Sequence, residues 1–324
     1  MKRYLWLIIR IVFTIALFAW LLRDPSLRQQ LASLPPPPAP AWLLPAWVAA
    51  GLNELASLLR WWCCLHLAGV ALPLRRAAAL HFLGLFTSLF LPGMAGGDAV
   101  KIAFLALQFP QRKMGGVLAV LMDRLSGFVS IIVWTFIVAM RRGDWFHKTP
   151  ATAALFHAVL IFLGIAAGAL LVWFISSRAP LLRRTPQWIP LRARIIEIAA
   201  VFDTFFADRR RACAALILSA ASHACYFLLF YFSALAFAAD LSLGDAFSVM
   251  PVMDVVSMLP VTISGLGLRE TTMQALLTPL CGIAPATAVF ISLTGFIIAA
   301  SWAFAGVPVF LRFRSVQKTD TTHD

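Results

Sequence analysis

The chain has 324 residues, 61% of them apolar, with a mean hydropathy of +0.86 and a net charge of +13. This composition belongs to an integral membrane protein and excludes a separate soluble domain, since the longest polar interval runs only from about Ser176 to Arg211. The cations do not describe a nucleic-acid surface either, because they gather at the ends of apolar segments, as membrane topology requires. Five cysteines (Cys63, Cys64, Cys213, Cys225, Cys281) lie in or beside apolar runs without metal-ligand spacing. They read as small buried hydrophobes, and no metal or cofactor is expected.

In chain order, Met1 to Leu22 reads as a retained first span, since Arg23-Asp24-Pro25 follows it rather than a small-residue cleavage site. A polar loop ending in the stiff run P-P-P-P-A-P leads to a second span, Trp42 to about Leu67. Glu54 falls near the middle of that span, where a carboxylate is costly unless paired, and is a candidate for a functional site. Arg60 lies nearer the end and reads as a snorkelling side chain. The third span, about Gly115 to Met140, carries Asp123-Arg124; adjacent residues point to different helix faces and need not pair with each other. Intramembrane charges are functional candidates by default, so both are retained. A fourth span covers about Ala153 to Ile175, and an amphipathic surface helix is expected over residues 192–208. The fifth span, about Ala212 to Ala238, holds Ser219, Ser222 and His223, the last reading as an interhelical hydrogen-bonding group or a proton relay. The last span runs from about Pro285 to Leu311.

Two stretches break this pattern. Leu91 to Lys101 reads L-P-G-M-A-G-G-D-A-V-K inside an apolar sequence. Pro92, Gly93, Gly96 and Gly97 would break a continuous helix. Broken backbone at membrane depth is tolerated only where it is buried in protein or lines a wet cavity. The expectation is a re-entrant hairpin over residues 78–108, whose second half-helix starts at about Asp98. That helix end favours an anion, and Lys101, one turn in, adds a full positive charge. The device recurs 168 residues later: Leu259 to Glu270 reads L-P-V-T-I-S-G-L-G-L-R-E, with Pro260, Gly265, Gly267 and Arg269 matching the first set in kind. A second hairpin is expected over residues 245–280, with Asp254 in its first half. Corresponding broken segments in two halves of a chain point to a transport site.

Charge distribution orients the chain. With both termini cytoplasmic, the inside ends carry Lys2, Arg3, Arg75, Arg76, Arg112, Lys113, Arg312, Arg314, Lys318 and the central loop, and the outside only Arg23, Arg28, Arg141, Arg142 and Lys148. The first hairpin then enters from the cytoplasm and the second from outside. The fold class expected is therefore all-α: about six transmembrane helices plus two re-entrant hairpins in an inverted-topology repeat. Its halves are residues 1–150 and 151–313, with a cytoplasmic tail over 314–324.

The three motifs, L-P-G-M-A-G-G-D-A-V-K, D-R-L-S-G-F and L-P-V-T-I-S-G-L-G-L-R-E, together resemble the membrane region of bacterial lysylphosphatidylglycerol synthetase/flippase proteins and their stand-alone, hopanoid-associated relatives. The resemblance covers nearly the whole chain. It implies a multi-pass bacterial inner-membrane protein that moves a lipid between leaflets, with motif residues at Gly93, Gly96, Gly97, Asp98, Lys101, Asp123, Arg124, Gly265, Gly267, Arg269 and Glu270. Met94 departs from the family pattern, where a polar or basic residue is common. The aminoacyl-transfer domain of the full-length synthetases is not expected in this chain.

The function expected is translocation of a lipid with a phosphate-bearing or modified headgroup: an anionic or aminoacylated phospholipid, a hopanoid or an isoprenoid-linked lipid. Lys101 and Arg269 would neutralise the phosphate, with Asp98 and Glu270 as their counter-ions in the empty site. The plainer alternatives are that Asp98 is an N-cap and Arg269-Glu270 a local ion pair. Two other functions stay open: a membrane-embedded headgroup transferase, and a non-transporting partner of a lipid-synthesising enzyme. The sequence shows no nucleotide, hydrolase or metal motif in favour of catalysis. A homo-oligomer and a lipid-synthesising enzyme are the protein partners to test for.

Overall fold

The structure, a computed structural model, describes residues 37–89, 96–109, 113–178, 208–259 and 267–311. Among them there is no strand. The helices are α1 (Leu43–Leu67), α2 (Leu74–Ser88), α3 (Gly96–Gln108), α4 (Lys113–Arg142), α5 (Pro150–Arg178), α6 (Arg209–Ala236), α7 (Leu243–Ser257), α8 (Leu268–Cys281) and α9 (Pro285–Ala303). The expected first span and amphipathic helix lie outside the described residues, as do Pro92, Gly93, Pro260 and Gly265.

Five of the described segments are long and apolar enough to cross a membrane: Pro40–Leu67, Met114–Lys148, Pro150–Val172, Arg209–Ala236 and Pro285–Leu311. The chain is an all-α membrane protein. At 25 residues, α1 spans about 37 Å at the usual rise, more than the roughly 30 Å of hydrocarbon in a bilayer. By contrast, α2, α3, α7 and α8 have 13 to 15 residues and reach only about 20–23 Å. None of these four crosses alone.

The centre of the bundle is the antiparallel pair α1 and α6. At one end the Ala39 N–H donates to the Ala236 carbonyl (3.1 Å) and Trp42 stacks on Phe232 at 5.8 Å. At the other end Cys64 and Leu67 share a buried cluster with Ala212 and Ala215. Small residues on the contact, Ala46, Ala49 and Ala50 on α1 and Ala215 and Ala234 on α6, are fully buried and let the backbones approach. Midway along both helices Ser222 donates to Asn53 (2.6 Å) and its hydroxyl meets that of Ser57 (2.9 Å).

The short pairs attach at opposite ends of this core. The start of α2 sits by the C-terminal end of α1, where Trp62 Nε1 donates to the Leu72 carbonyl (2.9 Å). The pair α7/α8 is held at the other end: Arg142 binds Asp245 at the start of α7 (2.6 Å), and Lys148 Nζ donates to the Leu280 carbonyl at the end of α8 (2.8 Å). From those opposite anchors both pairs reach mid-bundle, where His81 of α2 meets Glu54 and Asp254 of α7 faces His223.

Several boundaries differ from expectation for local reasons. Helix α2 begins at Leu74 behind the extended Pro73, so Arg75 and Arg76 lie in its first turn rather than in a loop. Asp208, the last residue of the expected amphipathic segment and the only one of it described, caps α6 by accepting from the Arg211 N–H (3.1 Å). The loop expected after Arg141 is mostly a 3-10 helix, Gly143–Lys148. By length and hydropathy α5 is a span, but it sits at the edge. Ile161, Ile165 and Val172 on it are exposed, and an added Cβ at Gly164 or Gly168 would meet nothing within 4 Å.

Candidate functional site

The site grows from polar stripes on otherwise apolar helices. On α1, Asn53, Ser57 and Arg60 follow the i, i+4, i+7 spacing of one helix face, with Glu54 beside them. On α6, Ser219, Ser222, His223 and Tyr226 form the corresponding stripe. Because α1 and α6 cross at mid-length, these stripes meet in the interior, and α4 closes the gap with Asp123 and Arg124.

Each charged group there has a charged or hydrogen-bonding partner. Arg60 grips Asp123 with two contacts, Nε to Oδ1 at 2.7 Å and a terminal nitrogen to Oδ2 at 3.3 Å. Arg124 makes the same two-point contact with Asp98, at 2.8 and 2.9 Å. The neighbours Asp123 and Arg124 thus pair away from each other, as their helix positions require. Lys101 Nζ stands 3.9 Å from Asp98 and 4.8 Å from the centre of the Trp61 ring, a cation–π distance. Glu54 faces His81 Nε2 at 3.1 Å and accepts from Asn53 Nδ2 at 3.2 Å. Carboxylates accept only, so Nε2 carries the hydrogen. Nδ1 of the same ring is buried with no partner among the described residues.

These groups line two cavities. The first, about 150 Å³, is bounded by Glu54, Ser57, Arg60, His81, Gly84, Leu85, Ser88, Gly97, Asp98, Lys101, Asp123 and Arg124. The second, about 180 Å³, is bounded by Asn53, Arg60, Asp123, Arg124, Gly127, Ser222, His223, Tyr226, Asp254 and Met258. Arg60, Asp123 and Arg124 line both, so they form the wall between them. The first cavity sets three carboxylates (Glu54, Asp98, Asp123) against three cations (Arg60, Lys101, Arg124). Among these cations Arg124 differs: 47% of its side chain is accessible, against 11% for Arg60 and 9% for Lys101.

Glycine makes the α2/α3 contact possible. The Gly97 N–H donates to Ser88 Oγ (3.1 Å), and Ser88 in turn donates to the Gly84 carbonyl (2.8 Å). A Cβ on Gly97 would overlap the Gly84 backbone carbonyl, which cannot move aside. A Cβ on Gly84 would meet Lys101 Cε at 2.7 Å, the far end of a flexible chain, and the Gly97 carbonyl oxygen at 3.2 Å. Gly97→Ala is therefore expected to lower stability by about 1–3 kcal/mol, read as thermal unfolding in detergent. Gly84→Ala costs less but displaces the Lys101 ammonium. Equal unfolding temperatures for Gly97→Ala and wild type would contradict this packing.

The second motif forms a separate cluster. Gly267, at φ 82°, starts α8, and its N–H donates to Glu270 Oε2 (2.6 Å). The positive φ there suits glycine. Glu270 Oε1 accepts from Arg269 (3.0 Å) and from the Ser292 hydroxyl (2.8 Å), while Arg269 Nε donates to Ser292 (3.0 Å) and its guanidinium lies 4.7 Å from the Phe296 ring. Arg269 is 4% exposed and Glu270 fully buried, and neither borders the two cavities. Tyr226, on the wall of the second cavity, stands next to Arg269 and joins the cluster to it.

The structure thus gathers Glu54, Gly97, Asp98, Lys101, Asp123 and Arg124 around one cavity, with Gly96 at the start of the helix that carries three of them. It places Gly267, Arg269 and Glu270 apart. Sequence reasoning passed over His81, Ser57, Ser88 and Gly84, and took Arg60 for a snorkelling residue. Arg60 is instead a buried partner of Asp123. The polar spacing along α1 carried the signal for Arg60 and Ser57. His81 needed the placement of α2.

A helical membrane bundle with a charged, charge-balanced interior at mid-length defines a multi-pass membrane protein with its polar groups gathered inside the bundle. The family model for the lysylphosphatidylglycerol synthase TM region matches residues 7–306, and the chain belongs to that family. A membrane lipid-related role follows from that membership. No curated protein matches the chain in a sequence comparison.

Proposed function

We propose that the protein translocates a lipid with a phosphate-bearing or modified headgroup across the bilayer, with α2/α3 and α7/α8 acting as opposed re-entrant hairpins that open the interior alternately to either side. The observation that supports this reading most is the shared wall. Two polar cavities meet at mid-bundle, and the side chains between them are Arg60, Asp123 and Arg124. Desolvating a phosphate costs several kcal/mol unless cations replace the water. Lys101 and Arg124 supply that replacement in the first cavity, beside the positive end of the α3 helix dipole. In the absence of a headgroup, Asp98 holds Arg124 and lies near Lys101, which keeps the cations compensated. A phosphate entering the first cavity takes the place of Asp98 at Arg124, the most accessible of the three cations. Since Arg124 also borders the second cavity, the headgroup passes onward without losing its counter-ion. The acyl chains stay among the lipids.

In this reading the protein is a translocator rather than an enzyme, sits in the bacterial inner membrane with both termini in the cytoplasm, and takes its driving force from an ion gradient, the membrane potential or downhill lipid supply. The test is reconstitution in phosphatidylethanolamine/phosphatidylglycerol vesicles containing a trace of tail-labelled fluorescent phosphatidylglycerol. The expected result is that label in the inner leaflet becomes reducible by external dithionite. A chemically altered headgroup would identify a transferase instead. Unchanged label, neither moved nor altered, would leave the role of a non-transporting partner.

A further inference from the structure

One titratable pair in the second cavity has no part in the headgroup path just described. His223 lies midway along α6, about 20 Å from either helix end at the usual rise, and is 8% exposed. Its Nδ1 sits 2.8 Å from the Ser219 carbonyl oxygen on the preceding turn. A carbonyl only accepts, so Nδ1 carries a hydrogen in every charge state of the ring. The nitrogen left to gain or lose a proton is Nε2, and Nε2 faces Asp254 Oδ2 at 3.6 Å. The ring and the carboxylate sit on different elements, α6 in the central pair and α7 in the short pair. Both border the second cavity, so water in that cavity has access to them.

The surroundings fix what a proton does there. From α1 the cavity receives Arg60, from α4 Asp123 and Arg124, and from α6 the neutral hydroxyl of Tyr226. Arg60 and Asp123 cancel each other, and Arg124 is held by Asp98. On α8, Arg269 and Glu270 cancel as well. The His223–Asp254 pair is therefore the group whose net charge changes most simply with one proton. With one proton on Nε2 and a carboxylate opposite, the pair is an internal ion pair and ties α7 to α6. A second proton, on Asp254, removes the carboxylate's charge and leaves the site positive. Loss of the Nε2 proton leaves an uncompensated carboxylate beside a neutral ring. Either change breaks the ion pair between a core helix and a helix of the short pair, and alters the charge offered to an anionic headgroup arriving at Arg124.

We propose that His223 and Asp254 form a proton-exchanging pair that couples translocation to a transmembrane proton gradient, with α7 released from α6 when the pair changes its proton count. The coupling part rests on the translocation reading above; the proton site does not.

The test uses the full chain in the vesicles described above, with and without an imposed pH difference of one unit. The quantity read is the steady-state ratio of label between leaflets, divided by the ratio without the gradient. For one proton per lipid this shifts by up to about tenfold per pH unit. In Asp254→Asn and His223→Gln the shift is expected to vanish, whatever the rate at equal pH. In parallel, infrared difference spectra across pH should show the C=O stretch of a protonated carboxyl in wild type and its loss in Asp254→Asn. Label that moves equally with and without the gradient in wild type overturns the coupling while leaving the translocation reading intact. So does a full gradient response in both variants. If label never moves, the translocation reading fails and the coupling with it; the infrared band then decides the proton site on its own, and its absence in wild type overturns that too.

Discussion

Arg60→Ala is expected to destabilise the protein by about 3–5 kcal/mol, seen as a large fall in thermal unfolding temperature in detergent, because it leaves Asp123 as an unpaired carboxylate in the interior. The two side chains are 11% and 7% accessible, and their two contacts are the only compensation that Asp123 has from α1. Breaking a buried pair from one side costs far more than the pair contributes when intact. Replacing both partners with apolar residues of similar size is often neutral or better. The double variant Arg60→Met/Asp123→Leu should therefore recover most of the lost stability. It should not recover lipid movement, since the wall between the two cavities would then carry Arg124 alone. Recovery of both properties would show that this pair serves folding only. A single Arg60→Ala variant as stable as wild type would mean that Asp123 is already solvated, contrary to its 5% exposure.

The second large effect separates the two basic motif residues. Lys101→Met keeps the stem that packs over Trp61 and removes the charge. Asp98 retains its two-point contact with Arg124, so no carboxylate is stranded. Unfolding temperature should change little. Lipid movement should fall by about 10- to 100-fold, the equivalent of losing one hydrogen bond of about 1.5–3 kcal/mol to a charged group. Arg269→Ala should behave in the opposite sense. Glu270 is fully buried and would keep only the Gly267 N–H and the Ser292 hydroxyl. The cost should appear first as stability, about 3–5 kcal/mol. Measuring both variants for unfolding and for movement gives four values. Equal transport in Lys101→Met and wild type would remove Lys101 from the headgroup path. A stable Arg269→Ala variant that no longer moves lipid would place Arg269 in that path after all, through Tyr226.

The two motifs look alike in sequence, yet the bundle uses them differently, and the cause is what each meets. Lys101 projects from α3 toward α1 and α4, where Asp98 and Arg124 already pair, and so it faces a cavity. Arg269 projects from α8 toward α9, where Ser292 and Phe296 fill the space around it. Ser292 lies 168 residues after Arg124, the same offset that separates the two motifs. A serine there leaves Arg269 free to take Glu270 as its partner. An arginine at 124 instead claims Asp98.

The sequence alone determined that this is a helical membrane protein, where five of its spans lie, that two short helix pairs interrupt them, and that Glu54, Asp98, Lys101, Asp123 and Arg124 belong among the candidates. Those properties follow from hydropathy over windows of helix length and from the cost of placing Pro, Gly and charge inside an apolar run, both of which are local. Which charge pairs with which was decided by tertiary structure. Arg60 and Asp123 are 63 residues apart, and His223 and Asp254 are 31 apart. No local rule connects them. They meet because α1 and α6 cross antiparallel at mid-length and the short pairs reach that crossing from opposite ends. In a low-dielectric interior every charge must find a counter-ion, and only the packing of the helices settles which one is within reach.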